Sequence, residues 1–113
     1  MPPKRNPLNL NPLQLRTLTL LQAIAKVPGA AQQLPTGEIV IAQFPAAHGD
    51  HFHIGELTVA GKDASGLYNE AVWNALTRKG LAKAEWPRQL TLLPEGQNYD
   101  TGEAKKILQG AGH

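Results

Sequence analysis

Apolar residues fall at helical spacing early in the chain, where Leu13, Leu20, Ile24 and Val27, with Leu18, Leu21 and Ala25 beside them, form a broad face. Asn11 before Pro12 suits an N-cap followed by proline in the first helical position, and Pro28-Gly29 ends the pattern, so a core helix is expected over residues 12–26. Lys26 then lies in the last turn, where a cation suits the helix dipole. Residues 30–36 have loop character, and Pro35-Thr36-Gly37 turns into a strand over residues 38–44 that contains Ile39, Val40 and Ile41. After an interruption at residues 45–50, Phe52 and Ile54 alternate with His51 and His53, and Gly55 shifts the phase to Leu57 and Val59. That pattern predicts a second strand with a bulge, or alternatively a short helix over residues 54–61, where Glu56-Leu57 and Val59-Ala60 also give a one-sided stripe.

The later half changes period twice. A polar connection at residues 61–66 leads into a helix over residues 67–79, with Ser65 or Asn69 as its cap and Val72, Ala75, Leu76 and Lys79 on one side. Gly80 suits the left-handed position that ends a helix. Two short strands follow, residues 81–86 and 89–93 about Pro87-Arg88, closed by Pro94-Glu95-Gly96. A last short helix is expected over residues 101–109, anchored by Ala104, Ile107 and Leu108.

The run Asn69-Glu70-Ala71-Val72-Trp73-Asn74-Ala75-Leu76-Thr77-Arg78-Lys79-Gly80-Leu81 resembles the end of a recognition helix in winged helix-turn-helix proteins. Leu90-Thr91-Leu92-Leu93-Pro94-Glu95-Gly96 resembles the strand by which their wing leaves. The likeness spans about residues 67–96 and implies an α+β, winged-helix-like fold: a long N-terminal helix, a small antiparallel sheet, and a second helix followed by a β-hairpin. The sequence departs from that family by placing two strand-like segments between its first helix and residue 67, and by a longer turn at residues 62–66.

Composition narrows what such a domain could do. The 113 residues suit one domain, expected over residues 11–109, with a flexible basic proline-rich arm at 1–10 (Pro2, Pro3, Lys4, Arg5, Pro7) and a disordered tail at 110–113. No cysteine is present, so disulfides and thiolate metal sites are excluded. Arg16, Thr19, Gln22 and Lys26 interrupt the longest apolar stretch well short of a membrane span, and the first eleven residues lack a signal peptide's apolar run, so a cytoplasmic location is expected. The net charge of +2 permits contact with nucleic acid without demanding it.

The implied function is a small DNA-binding or regulatory module using helix 67–79 and hairpin 81–93. Asn69, Asn74 and Arg78, with Trp73 and Thr77, would form the outward face of the helix, and Lys83 and Arg88 would act from the hairpin. Asn and Arg read base edges through paired hydrogen bonds, while Lys and Arg neutralise phosphates. Lys4 and Arg5 would add loose phosphate contacts, and Glu70 and Glu85 oppose the scheme. The alternative is a protein-interaction or structural module without nucleic-acid binding, able to form a homodimer, with Trp86 at the hairpin tip as the contact residue, while core or partly buried packing is the ordinary reading expected for both Trp73 and Trp86. His51 and His53 share a strand face and are the weak metal candidates, with His48 and Asp50 nearby, but a third or fourth ligand is not evident. No phosphate loop, nucleophile elbow or zinc-hydrolase helix occurs, and Ser65, His53 and Asp63 form a triad only in the sense that any chain offers one, so neither an enzyme nor a cofactor is expected.

Overall fold

The computed structural model describes residues 6–45 and 49–108. Among them the chain is mixed α+β, with four helices and two small antiparallel sheets. Helix α1, Pro12–Ala25, starts as its sequence requires: Asn11 accepts from the Gln14 amide at 2.8 Å while the Gln14 side chain accepts from the Asn11 amide at 3.0 Å, a reciprocal capping box. Its middle is buried nearly all round, through Thr17, Leu18, Thr19, Leu20, Leu21 and Ile24. Such a helix lies inside a domain rather than on its face. Two of its buried threonines turn their hydroxyls back on the helix, Thr17 to the Leu13 carbonyl and Thr19 to that of Leu15.

Four strands, β1 (Ala31–Gln33), β2 (Ile39–Ile41), β5 (Ala82–Glu85) and β6 (Gln89–Leu92), form one sheet in the order β1-β2-β6-β5. The register aligns Ile39, Leu92 and Ala82 in one row and Ile41, Leu90 and Ala84 in another. These rows face α1, and Ile41, Leu90 and Leu92 are wholly buried. The opposite face carries the row Gln32, Val40, Thr91 and Lys83. Strand β1 falls where the sequence reads as loop, because three residues, Ala-Gln-Gln, are too few and too polar to show a period, and only pairing with β2 makes them a strand.

Residues 51–60 correct the expectation of one bulged strand or a helix. They are two strands, β3 (His51–Ile54) and β4 (Leu57–Ala60), paired as a separate two-stranded sheet from His51↔Ala60 to Ile54↔Leu57. Gly55 supplies the positive φ, +57°, that leads the two-residue turn, so the phase shift seen in the sequence marks a chain reversal. Phe52, Ile54 and Val59 carry the hairpin into the same hydrophobic cluster that holds α1 and the larger sheet.

Two 3₁₀ turns, Gly61–Asp63 and Ser65–Tyr68, occupy the polar connection, and α2 runs over Glu70–Arg78, three residues later than expected. The cap is Asn69 rather than Ser65, since its side chain accepts from the Ala71 amide. Leu67 is therefore a buried residue of the turn, not of the helix. Gly80 has φ +76° and closes α2 as its sequence implies. Residues 94–97 form a single helical turn, α3 (Pro94–Gln97), and the last helix shortens to α4, Ala104–Ile107.

The chain ahead of α1 is docked from Asn6 onward. The Tyr99 hydroxyl donates to Asn6 Oδ1 at 2.6 Å and accepts from the Leu8 amide at 3.1 Å, and Leu10 is buried. Of the expected arm, residues 6–10 make these contacts with the body of the chain, while Lys4, Arg5 and the expected tail at 110–113 lie outside the described residues.

Candidate nucleic-acid interface

Helix α2 divides into two faces. Val72, Trp73, Ala75 and Leu76 are buried against α1, β5 and the second 3₁₀ turn, while Glu70, Ala71, Asn74, Thr77 and Arg78 are exposed. Trp73 belongs to the buried set, 1% exposed, so it packs in the core as its ordinary reading has it and leaves the outward face. Its indole N–H donates to the Leu67 carbonyl at 3.0 Å, satisfying the one polar atom of a buried ring. The tip of the β5–β6 hairpin is held on the same ring: Trp86 stands edge-on to Trp73 at 4.8 Å, and Phe44 lies tilted against Trp73 at 5.2 Å. Trp86 is half-buried by this contact, which takes away the free ring expected of a partner anchor.

Five residues were expected to meet nucleic acid, and the fold separates them. Asn74 and Arg78 stand exposed on α2, with Lys79 exposed at its C-cap. Asn69 is exposed but spends its side-chain oxygen on the Ala71 amide, 3.0 Å away. Lys83 points to the side of the sheet opposite α2, where its ammonium meets Glu38 Oε2 at 3.2 Å. Arg88 is exposed in the three-residue loop between β5 and β6, its amide donating to the Glu85 carbonyl at 2.8 Å. Since β5 leaves the C-terminal end of α2 and runs back along it, Arg88 lies toward the N-terminal half of the helix and Arg78 at the other end.

The acidic neighbours are also placed. Glu70 opens α2, where a carboxylate suits the positive end of the helix dipole. Glu85 accepts from the Gln89 side chain at 2.5 Å and shares the outer sheet face with Lys83, away from α2. No protein-family model, curated protein or solved structure matches this chain. What α2 presents, then, is a short polar stripe of the Glu70 carboxylate, the Asn74 amide, the Thr77 hydroxyl, which donates to the Trp73 carbonyl at 2.9 Å, and the Arg78 guanidinium.

Two features of the site were missed in the sequence. Glu38 neutralises Lys83 across 45 positions of sequence, a pairing set by sheet order alone. Tyr68 is the exposed large hydrophobic among the described residues, 51% exposed, and stacks on Phe52 at 6.2 Å while its hydroxyl donates to the Pro45 carbonyl. Partial burial raises its phenol pKa above the ordinary value. The histidine candidates lie on the other sheet: His51 and His53 occupy one face of β3, and His48 lies outside the described residues. No helix among the described residues is long and apolar enough to cross a membrane.

Proposed function

We propose that the chain is a winged-helix-like module that binds double-stranded DNA, with α2 as the groove-facing helix and the β5–β6 hairpin as the wing. The observation that carries this reading is connectivity: α2 ends at Gly80, passes directly into an antiparallel hairpin, and that hairpin returns to pair with β2, the strand that follows the first helix and β1. A helix held this way by a wing is presented with one side free, and here that side carries Asn74, Thr77 and Arg78. The β3–β4 hairpin and the 3₁₀ turns stand where such domains place a compact helix before the groove-facing one.

The contact set contracts from the one expected. Asn74 has the donor–acceptor pair that matches adenine, and Arg78 has the fork that matches guanine or a phosphate. Arg88 reaches a phosphate from the wing tip, and Lys4 and Arg5 add sequence-independent contacts. Lys83 leaves the set because it faces Glu38, Asn69 because it caps the helix, and Trp86 becomes the residue that fastens the wing.

The test is fluorescence anisotropy with a mixed-sequence duplex. Micromolar binding is expected at about 50 mM salt, falling with a log–log slope of about −2 to −4 for two to four phosphates neutralised. Arg78→Ala should weaken binding by about fivefold or more, the lower part of the 1–3 kcal/mol carried by one such contact. Absence of micromolar binding at that salt rejects the proposal. Protein contact is the second reading, and the exposed Tyr68 ring favours it. It requires self-association that Tyr68→Ala abolishes, measured by sedimentation equilibrium.

A further inference from the structure

We infer that His51 and His53 form an open two-histidine chelate for a borderline transition-metal dication, Cu²⁺ or Ni²⁺ ahead of Zn²⁺. The alternation of β3 puts Phe52 and Ile54 into the core and turns both imidazoles to the opposite face. Across the hairpin His51 pairs with Ala60 and His53 with Thr58. The rings meet edge to face, 89° between planes and 4.8 Å between centroids, and this brings the two Nε2 atoms to 3.1 Å.

That separation is the span of two ligands on one ion. With metal–nitrogen bonds of 2.0–2.1 Å, adjacent nitrogens lie about 2.9 Å apart at a 90° angle and about 3.3 Å apart at a tetrahedral one. The observed pair falls between the two, so an ion enters with shifts of a few tenths of an ångström. The outer nitrogen of His51 is also arranged for the task. Asp50 Oδ1 lies 3.3 Å from His51 Nδ1, and a carboxylate at that position favours the tautomer with the proton on Nδ1, the one in which Nε2 is the ligating nitrogen. The two Nε2 atoms share one hydrogen bond in the metal-free hairpin; an ion held by both Nε2 atoms requires each neutral imidazole to carry its proton on Nδ1. Imidazole nitrogens select late first-row dications, whose affinities rise from nickel to copper and fall back at zinc. Among the described residues no group of three or more His, Cys, Asp or Glu can hold a metal ion, so the chelate rests on the two imidazoles alone.

The experiment is calorimetric titration of the full chain with NiCl₂ and, separately, ZnCl₂. It is made in a His48→Ala, His113→Ala background, so that the only imidazoles left are those of the pair. One ion per chain is expected, nickel tighter than zinc. His51→Ala and His53→Ala should each weaken nickel binding at least tenfold, because losing either ligand destroys the chelate. Both side chains lie on the exposed face of a hairpin whose core residues are Phe52, Ile54 and Val59, and unchanged far-UV circular dichroism verifies that the variants fold. No measurable heat in the background protein, or a loss below tenfold in either variant, overturns the inference.

Discussion

Gly66 shows how much one side chain would cost. A Cβ built there meets Thr17 Oγ1 at 1.8 Å and Thr17 Cβ at 3.1 Å, and both Gly66 and Thr17 are buried where the second 3₁₀ turn crosses α1. Gly66→Ala should therefore destabilise the fold by about 2 kcal/mol or more, the scale of overpacking in a closed core. Combining it with Thr17→Ala removes the nearest atom and should return part of that loss, a coupling of at least about 0.5 kcal/mol between residues in contact. Urea denaturation of the four proteins measures it, and additive effects would show that the turn moves aside. Nothing in Ser65-Gly66-Leu67 announces this approach, because a glycine in a polar stretch reads as a turn. Asn69 and Lys83 were equally opaque. Their chemistry suits nucleic acid, yet a local cap claims one and a distant carboxylate the other.

Among the elements, α1, α2 and the terminal hairpin were legible because each carries its own signal. Asn11, Pro12 and Gln14 mark the start of α1, Gly80 marks the end of α2, and the period changes sharply after it. Strand β1 and the β3–β4 reversal were not, since three-residue and four-residue strands give too few alternations to separate a bulge from a turn. What joins α2 to the hairpin is the contact of Trp86 with Trp73. An edge-to-face pair contributes about 0.5–1.5 kcal/mol beyond the area it buries. Trp86→Ala should thus leave the fold in place and speed amide hydrogen exchange in β5 and β6 by about threefold to tenfold, with α1 unchanged. Unaltered protection at the hairpin would show that the sheet alone positions it, with no fastening by Trp86.

At the scale of the molecule, both sheets share one core through α1. Leu18, Leu20 and Leu21 of that helix, Ile41, Leu90 and Leu92 of the large sheet, and Phe52, Ile54 and Val59 of the small one form a single cluster. Leu21→Ala should cost about 2–5 kcal/mol. It should shift one cooperative transition, with tryptophan fluorescence, reporting Trp73 and Trp86, and far-UV circular dichroism coinciding; separate transitions would mean that the β3–β4 hairpin unfolds independently. Residue order alone establishes the α+β class, the long first helix and the helix-then-hairpin unit, because caps, breakers and periodicity act within a few residues of one another. It also lists which side chains could meet a nucleic acid or a metal ion. Which of them come together depends on long-range pairing. Sheet order sends Lys83 to Glu38 and away from Arg78, burial takes Trp73 inward with Trp86 against it, and the β3 pleat sets two imidazoles 3.1 Å apart. Those outcomes follow from contacts between residues far apart in the chain, whose geometry exists only once the core has closed.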